Sequence, residues 1–246
     1  MIVGRVTPTK QITAMKILFI IPARSGSVRL KHKNIRPFLG KDLFLHTIKF
    51  VQSSLNQLTE HSCKVCISTN DKHILRYSEF YPHIDFFPRD ESLSSSIACL
   101  EDVCDVLLSM YFKRDLSFDL VCLLQVTSPL RDNKLITRGL NCLLSCSNSN
   151  GVIELEEQKH HLGNVIDNIW IPYNKSDIQS QKLDSLYKPS GRLFMYRVDN
   201  NDLICRDNLS AMIINPQHVN NIDTLEDFVL AELKAKQISE FDYLFD

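Results

Sequence analysis

The chain has 246 residues, 44% hydrophobic and 23% charged, an ordinary globular composition that excludes a disordered polyampholyte and supplies one large core. Lysine plus arginine (28) nearly balances aspartate plus glutamate (29), a formal net charge of −1, which argues against a broad surface for nucleic-acid backbone. No apolar run approaches the roughly 20 residues of a membrane span and no apolar leader precedes the first strand, so no membrane partner is expected, and the eight cysteines read as reduced thiols of a cytoplasmic protein.

Residues 1–15 add no core pattern and read as an N-terminal extension of a single domain spanning 16–246. Ile17 to Ala23 is a β-branched apolar run, as a strand buried on both faces requires. Leu43 to Leu55 has helical spacing, Val65 to Thr69 is a second strand, and Asp71 to Phe80 reads as a helix capped near Asn70. Ile84–Phe87 is a strand, Ile97–Phe112 a helix, Leu120–Leu124 a strand, Asn133–Leu144 a helix and Val152–Leu155 a strand. The rhythm then breaks. Residues 158–186 are polar around an apolar island at Val165, Ile166, Ile169, Trp170 and Ile171, and an excursion of this length in a compact domain is usually functional or an interface. Leu193–Val198 and Met212–Ile214 resume as strands, and Thr224–Lys236 is an amphipathic helix.

Strand and helix in alternation predict an α/β fold with a mostly parallel, doubly wound sheet. Such sheets bind ligands beyond the carboxyl ends of their strands, which singles out the loops after Ile21, Thr69 and Leu124. The loop from Pro22 to Asn34 packs Arg24, Arg29, Lys31 and Lys33 into ten residues with Ser25, Gly26 and Ser27. Small residues there let backbone N–H groups cradle phosphate oxygens while the cations neutralise them. The spacing is neither that of a P-loop nor G-x-G-x-x-G, and a solvated basic loop fits the charge as well. Gln125 to Arg131 places an amide, two hydroxyls and an arginine after another strand, either as a site or as a Ser-Pro turn. Asp223 is either the N-cap of the last helix or a carboxylate for a hard cation such as Mg²⁺.

Taken together, Ile21-Pro22-Ala23-Arg24 through Lys33-Asn34, Gly40-Lys41, Ser68-Thr69-Asn70-Asp71, Leu124 to Arg131 and Ile222-Asp223-Thr224 resemble the acylneuraminate cytidylyltransferases (CMP-sialic acid synthetases), including relatives acting on pseudaminic and legionaminic acids. The resemblance covers roughly residues 16 to 236. It implies a nucleotide-diphospho-sugar transferase-like fold and a homodimer. The implied reaction joins CTP to the anomeric hydroxyl of a nonulosonic acid, releases pyrophosphate and requires Mg²⁺.

By position, the resemblance assigns Arg24 and Lys33 as triphosphate clamps and Asp223 as a magnesium carboxylate with Asn221 beside it. Ala23, Ser27, Arg29, Asn34, Arg89 and Ala98 fall at nucleotide-binding positions. Gln125, Tyr187, Ser190 and Phe194 fall around the acceptor sugar. The 158–186 excursion becomes a dimerisation and acceptor-sugar arm, with Lys159, His160 and His161 reaching toward a partner's site. The chain also departs from the family pattern. Val28 replaces a lysine, Asn221 an aspartate of a D-x-D pair, Val126 a proline and Ser190 an asparagine, and an arginine expected near 180 is missing. These departures keep a second reading open, a degenerate member that binds CTP as a scaffold subunit.

Overall fold

A computed structural model describes residues 14–90, 93, 99–173, 179–214, 221–237, 241 and 244. Its centre is a seven-stranded sheet. The strands in chain order are β1 (Lys16–Pro22), then the short pair β2 (Pro37–Phe38) and β3 (Lys41–Asp42), β4 (Ser62–Thr69), β5 (Asp85–Pro88), β6 (Leu120–Leu123), β7 (Gly151–Gln158), β8 (Gly163–Ile166), β9 (Ile169–Pro172), β10 (Leu186–Arg197) and β11 (Leu209–Ile214). The sheet order is β11-β7-β10-β6-β1-β4-β5. Only β10 runs against its neighbours; the β1–β4, β1–β6, β4–β5 and β7–β11 pairs are parallel.

The parallel centre explains the unbroken apolar run of β1. Ile17, Phe19 and Ile21 pack into one core, while Leu18 and Ile20 pack into a second core on the opposite face. Helices α1 (Leu43–Leu55), α4 (Leu135–Ser145) and α5 (Leu225–Gln237) cover the first face. Helix α3 (Leu100–Phe112) covers the second through Val103, Cys104, Leu107, Leu108 and Tyr111. This is the doubly wound arrangement, and both faces must be apolar because both are covered. Cys66, Cys104 and Cys122 lie inside these cores as small hydrophobes.

Several element boundaries differ from the sequence expectation. The helix expected at 71–80 is one short turn, α2 (Lys72–Arg76), followed by a 3₁₀ turn at Tyr77–Glu79. Its cap is Asp71, whose carboxylate accepts from the His73 N–H at 2.9 Å. Asn70 is used elsewhere, accepting from the Ser25 N–H at 2.7 Å. The described part of the helix expected from Ile97 begins at Leu100, and Ile97 lies outside the described residues. The extension predicted at 1–15 reaches one residue too far, because Met15 is buried in the first core; residues 1–13 lie outside the described residues.

The strands flanking the 158–186 excursion run further than the expected 152–155 and 193–198. β7 extends to Gln158 and β10 starts at Leu186, and the two pair at Leu186↔Gln158. Alternation of polar residues disguised these extensions, since Leu186 to Pro189 are exposed on both faces. Between them stands the β8–β9 hairpin, on which Val165, Ile166, Ile169, Trp170 and Ile171 are all exposed.

Candidate active site

The opening strand delivers its loop to the carboxyl edge of the sheet, and backbone bonds fix how the loop leaves. The Ala23 N–H donates to the Ser68 carbonyl (2.9 Å) and the Ala23 carbonyl accepts from Thr69 Oγ1 (2.6 Å). The Ser25 bond to Asn70 comes next, and Gly26 turns the chain at φ +80°, a backbone that glycine adopts without penalty. The loop returns through a 3₁₀ turn at Lys33–Ile35. There the Asn34 carboxamide donates to the Arg24 carbonyl at 2.8 Å, closing the loop on itself.

Closure brings the charges together. A cavity of ≈ 410 Å³ is lined by Arg24, Ser27, Arg29, Lys33, Asn34, Arg89, Gln125, Asn221 and Asp223, with Val28, Leu30 and Leu100 among its apolar walls. Lys33 is nearly buried, and its Nζ donates to the Ile222 carbonyl at 2.6 Å and to Asp223 Oδ1 at 3.0 Å. Arg29 Nη2 holds the other carboxylate oxygen at 2.9 Å.

Asp223 is presented by two bonds. The Ile222 N–H donates to the Thr127 carbonyl at 2.7 Å, tying this segment to the 125–131 loop. The helix that follows is capped without Asp223: Thr224 Oγ1 accepts from the Asp227 N–H at 3.2 Å, and Asp227 Oδ2 accepts from the N–H groups of Asp223 and Thr224. That is a reciprocal capping box. The choice between cap and pocket carboxylate is therefore decided. Thr224 caps, and the Asp223 side chain faces the cavity.

Arg89 is the second structural anchor. It is 6% exposed, its backbone N–H donates to the Thr69 carbonyl at 2.8 Å, and Nη2 bonds the Leu93 carbonyl. Its Nε and Nη1 have no hydrogen-bond partner among the described residues. Burial, and secondarily the charge of Arg24, hold the guanidinium below the usual arginine range. Two guanidiniums on one cavity, with buried Arg89 N–H donors left over among the described residues, have the chemistry that an anion would satisfy.

Not every expected site residue lines this cavity. Ala23 is fully buried with both backbone groups consumed, so it braces the loop and has no donor to offer a nucleotide. Tyr187 is exposed on β10 opposite Glu157. Ser190 is fully buried, and Phe194 stacks on Tyr196 in the second core. Ala98 lies outside the described residues. Thr127, Leu30 and Leu100, not assigned to the site from sequence, line the cavity, and Asn70, expected as a helix cap, tethers the basic loop. The Thr224-x-x-Asp227 spacing was a visible sign that Asp223 was not needed as a cap.

Residues 18–184 match the family model described as cytidylyltransferase. The chain belongs to this family. It is 26% identical over 249 residues to the pseudaminic acid cytidylyltransferase of Campylobacter jejuni subsp. jejuni serotype O:23/36 (strain 81-176), covering 90% of this chain and 97% of the relative. It is 37% identical over 130 residues to the CMP-N,N'-diacetyllegionaminic acid synthase of Legionella pneumophila, covering 51% of this chain and 52% of that one. The N-acylneuraminate cytidylyltransferase of Escherichia coli O18:K1:H7 is 28% identical over 231 residues, which are 88% of this chain and 51% of the relative.

Among solved structures, CMP:2-keto-3-deoxy-manno-octonic acid synthetase complexed with CTP superposes with a TM-score of 0.60 at 16% identity, covering 91% of this chain and 100% of that one. The 4-diphosphocytidyl-2C-methyl-D-erythritol synthase of Anaerococcus prevotii gives 0.57 at 14%, over 89% and 96%. At these identities the likeness is one of fold. For a cytidylyltransferase, the cavity beyond the carboxyl ends of β1, β4 and β6 is the place where a nucleotide belongs.

Proposed function

We propose that this chain joins CTP to the anomeric hydroxyl of a nonulosonic acid, giving a CMP-sugar acid and pyrophosphate, as a Mg²⁺-dependent homodimer in the cytoplasm. The observation that supports this most directly is the convergence of Arg24, Arg29, Lys33 and Arg89 on one cavity that also presents Asp223 and Gln125. The names and full-length match of the Campylobacter relative favour a nonulosonic acid as acceptor. The anomeric oxygen attacks the α-phosphorus as the bond to pyrophosphate breaks, so the protein's task is positioning and charge neutralisation. Arg24, Arg29 and Lys33 would clamp the β- and γ-phosphates, Arg89 would hold the nucleotide deeper in through Nε and Nη1, and Gln125 would orient the acceptor.

The chemistry of the donor set fits magnesium. Asp223 supplies one carboxylate to the cavity, Asn221 a neighbouring amide oxygen, and the described residues contain no cluster of three His, Cys, Asp or Glu that would cage a metal. Mg²⁺ suits such a site because it takes one or two carboxylates and draws the rest of its shell from substrate phosphates and water. When bound, it supplies further neutralisation of the triphosphate. The exposed β8–β9 hairpin supports the dimer, since a contiguous apolar surface of this kind marks an interface. Lys159, His160 and His161 at its root would then face the partner.

The test is pyrophosphate release from CTP and Mg²⁺ with neuraminic, legionaminic and pseudaminic acids and a shorter eight-carbon keto acid. Product with at least one acceptor is expected, together with thermal stabilisation by CTP over UTP, ATP and GTP. CTP binding without any product would favour the scaffold reading that Val28 and Asn221 keep open. Neither binding nor product would overturn both.

A further inference from the structure

Ser190 and Glu154 do not touch the cavity, yet they are among the most buried polar groups in the protein, at 0% and 1% exposure. Burying a carboxylate costs several kcal/mol unless its surroundings repay it, so its place in the sheet has a consequence. β10 pairs with β7 at Pro189↔Leu155 and again at Phe194↔Ile153. Between these pairs β10 has Ser190, Gly191, Arg192 and Leu193 where β7 has Glu154 alone. This is a bulge, a device that re-aims backbone next to active sites. Gly191 stands at its apex with φ +76°. A Cβ there would come within 2.7 Å of Ser128 Oγ and 3.1 Å of Gln125 Oε1. The bulge is therefore the surface on which the Gln125 carboxamide rests.

Charged and polar groups hold the bulge in shape. Ser190 Oγ donates to Glu154 Oε2 at 2.6 Å and accepts from the Arg192 N–H at 3.1 Å. Arg192 Nε lies 3.4 Å from the same Glu154 oxygen, and its Nη2 lies 2.9 Å from Asp132. Arg131, fully buried, donates from Nε to the Arg192 carbonyl at 2.9 Å and from Nη2 to the Gln125 carbonyl at 2.6 Å. Ser128 Oγ closes the circuit on the Ser190 carbonyl at 3.3 Å. The bulge and the Gln125 loop are thereby one hydrogen-bonded unit, which meets the segment of Asp223 at the Thr127 carbonyl.

We infer that Ser190 and Glu154 are positioning residues for the acceptor, setting through the bulge where the Gln125 carboxamide points. The inference rests on the reading in which Gln125 faces the acceptor. It makes the Ser190 position, where the family pattern has asparagine, a determinant of acceptor fit that acts from beneath the cavity.

Ser190→Ala and Glu154→Gln test it, in the full chain with CTP, Mg²⁺ and whichever acceptor the wild type uses. The acceptor KM should rise about tenfold or more, because small misplacements of a positioning group are amplified in rate and affinity. Calorimetric CTP affinity should stay within about twofold, because neither altered side chain lines the cavity. Parallel loss of CTP affinity, or no change in acceptor KM, would overturn the inference. Amide hydrogen exchange supplies a readout independent of any acceptor. Exchange at residues 125–131 should accelerate in both variants while residues 16–23 keep wild-type protection, and unchanged exchange at 125–131 overturns the inference even if the wild type makes no product. Should Glu154→Gln fail to fold, Ser190→Ala, which removes one hydrogen bond, decides alone. A wild type that binds CTP but accepts no sugar acid would instead remove the functional reading.

Discussion

Lys33 Nζ lies 3.0 Å from Asp223 Oδ1, and Arg29 holds the other oxygen of the same carboxylate at 2.9 Å. The two residues come from opposite ends of the chain, and the carboxylate engages two of the cations that the proposed function assigns to the β- and γ-phosphates. Asp223→Asn keeps the shape and removes the competing charge. In metal-free buffer it should bind CTP as tightly as wild type or a few-fold tighter, read by calorimetry, while turnover with Mg²⁺ falls about 10²-fold. Weaker metal-free binding would show that Asp223 organises the cations rather than competing for them.

Arg89 gives the opposite signature. A buried guanidinium whose Nε and Nη1 find no partner among the described residues costs stability, and an apolar group of similar length relieves that cost. Arg89→Met should raise the melting temperature of the ligand-free protein and lose most of the shift that CTP produces, with affinity down about tenfold to a hundredfold. A lower melting temperature with an intact CTP shift would mean that Arg89 is a structural residue.

Val28 is 91% exposed at the cavity rim, where the family pattern has lysine. Val28→Lys should lower the CTP KM severalfold and steepen its dependence on salt, since an exposed charge acts through a screened field. Equal KM at low and high salt in the variant would rule out a phosphate role at this position.

The hairpin predicts the oligomer. Ile169 and Trp170 expose 65% and 51% of their surface at its tip. Ile169→Glu combined with Trp170→Ser should convert a dimer to a monomer in analytical ultracentrifugation and leave the CTP-induced thermal shift in place. A wild type already monomeric at micromolar concentration would dismiss the arm as a dimer element.

Asp132 predicts acid sensitivity. Burial pushes its carboxyl up, but the Arg138 and Arg192 guanidiniums outweigh burial and hold it down at about 2, against an ordinary 3.8. The stabilisation is full above roughly pH 4 and is lost as pH falls toward 2; it amounts to about 2 kcal/mol at neutral pH. Asp132→Asn should therefore be less stable than wild type at pH 7, and the gap in urea unfolding should narrow by pH 3. A gap independent of pH would assign the loss to packing alone.

Read alone, the residues determined the doubly wound sheet. The β1 run is apolar on both faces, helical spacing lies on either side of it, and covering both faces of a parallel sheet demands that pattern whatever the loops do. They also marked the basic loop, because small residues and cations after a strand have a local chemical meaning. Only the tertiary structure decided what each polar group does. Asp223 was ambiguous until Thr224 and Asp227 were seen to satisfy the helix end between them. Ser190 read as a sugar contact until the structure placed it fully buried and bonded to Glu154. Arg192 and Glu154 gave no signal at all, since a charged residue looks solvated in sequence. Its cost when buried is repaid only by partners 38 to 60 positions away, and the chain must be folded before those partners exist.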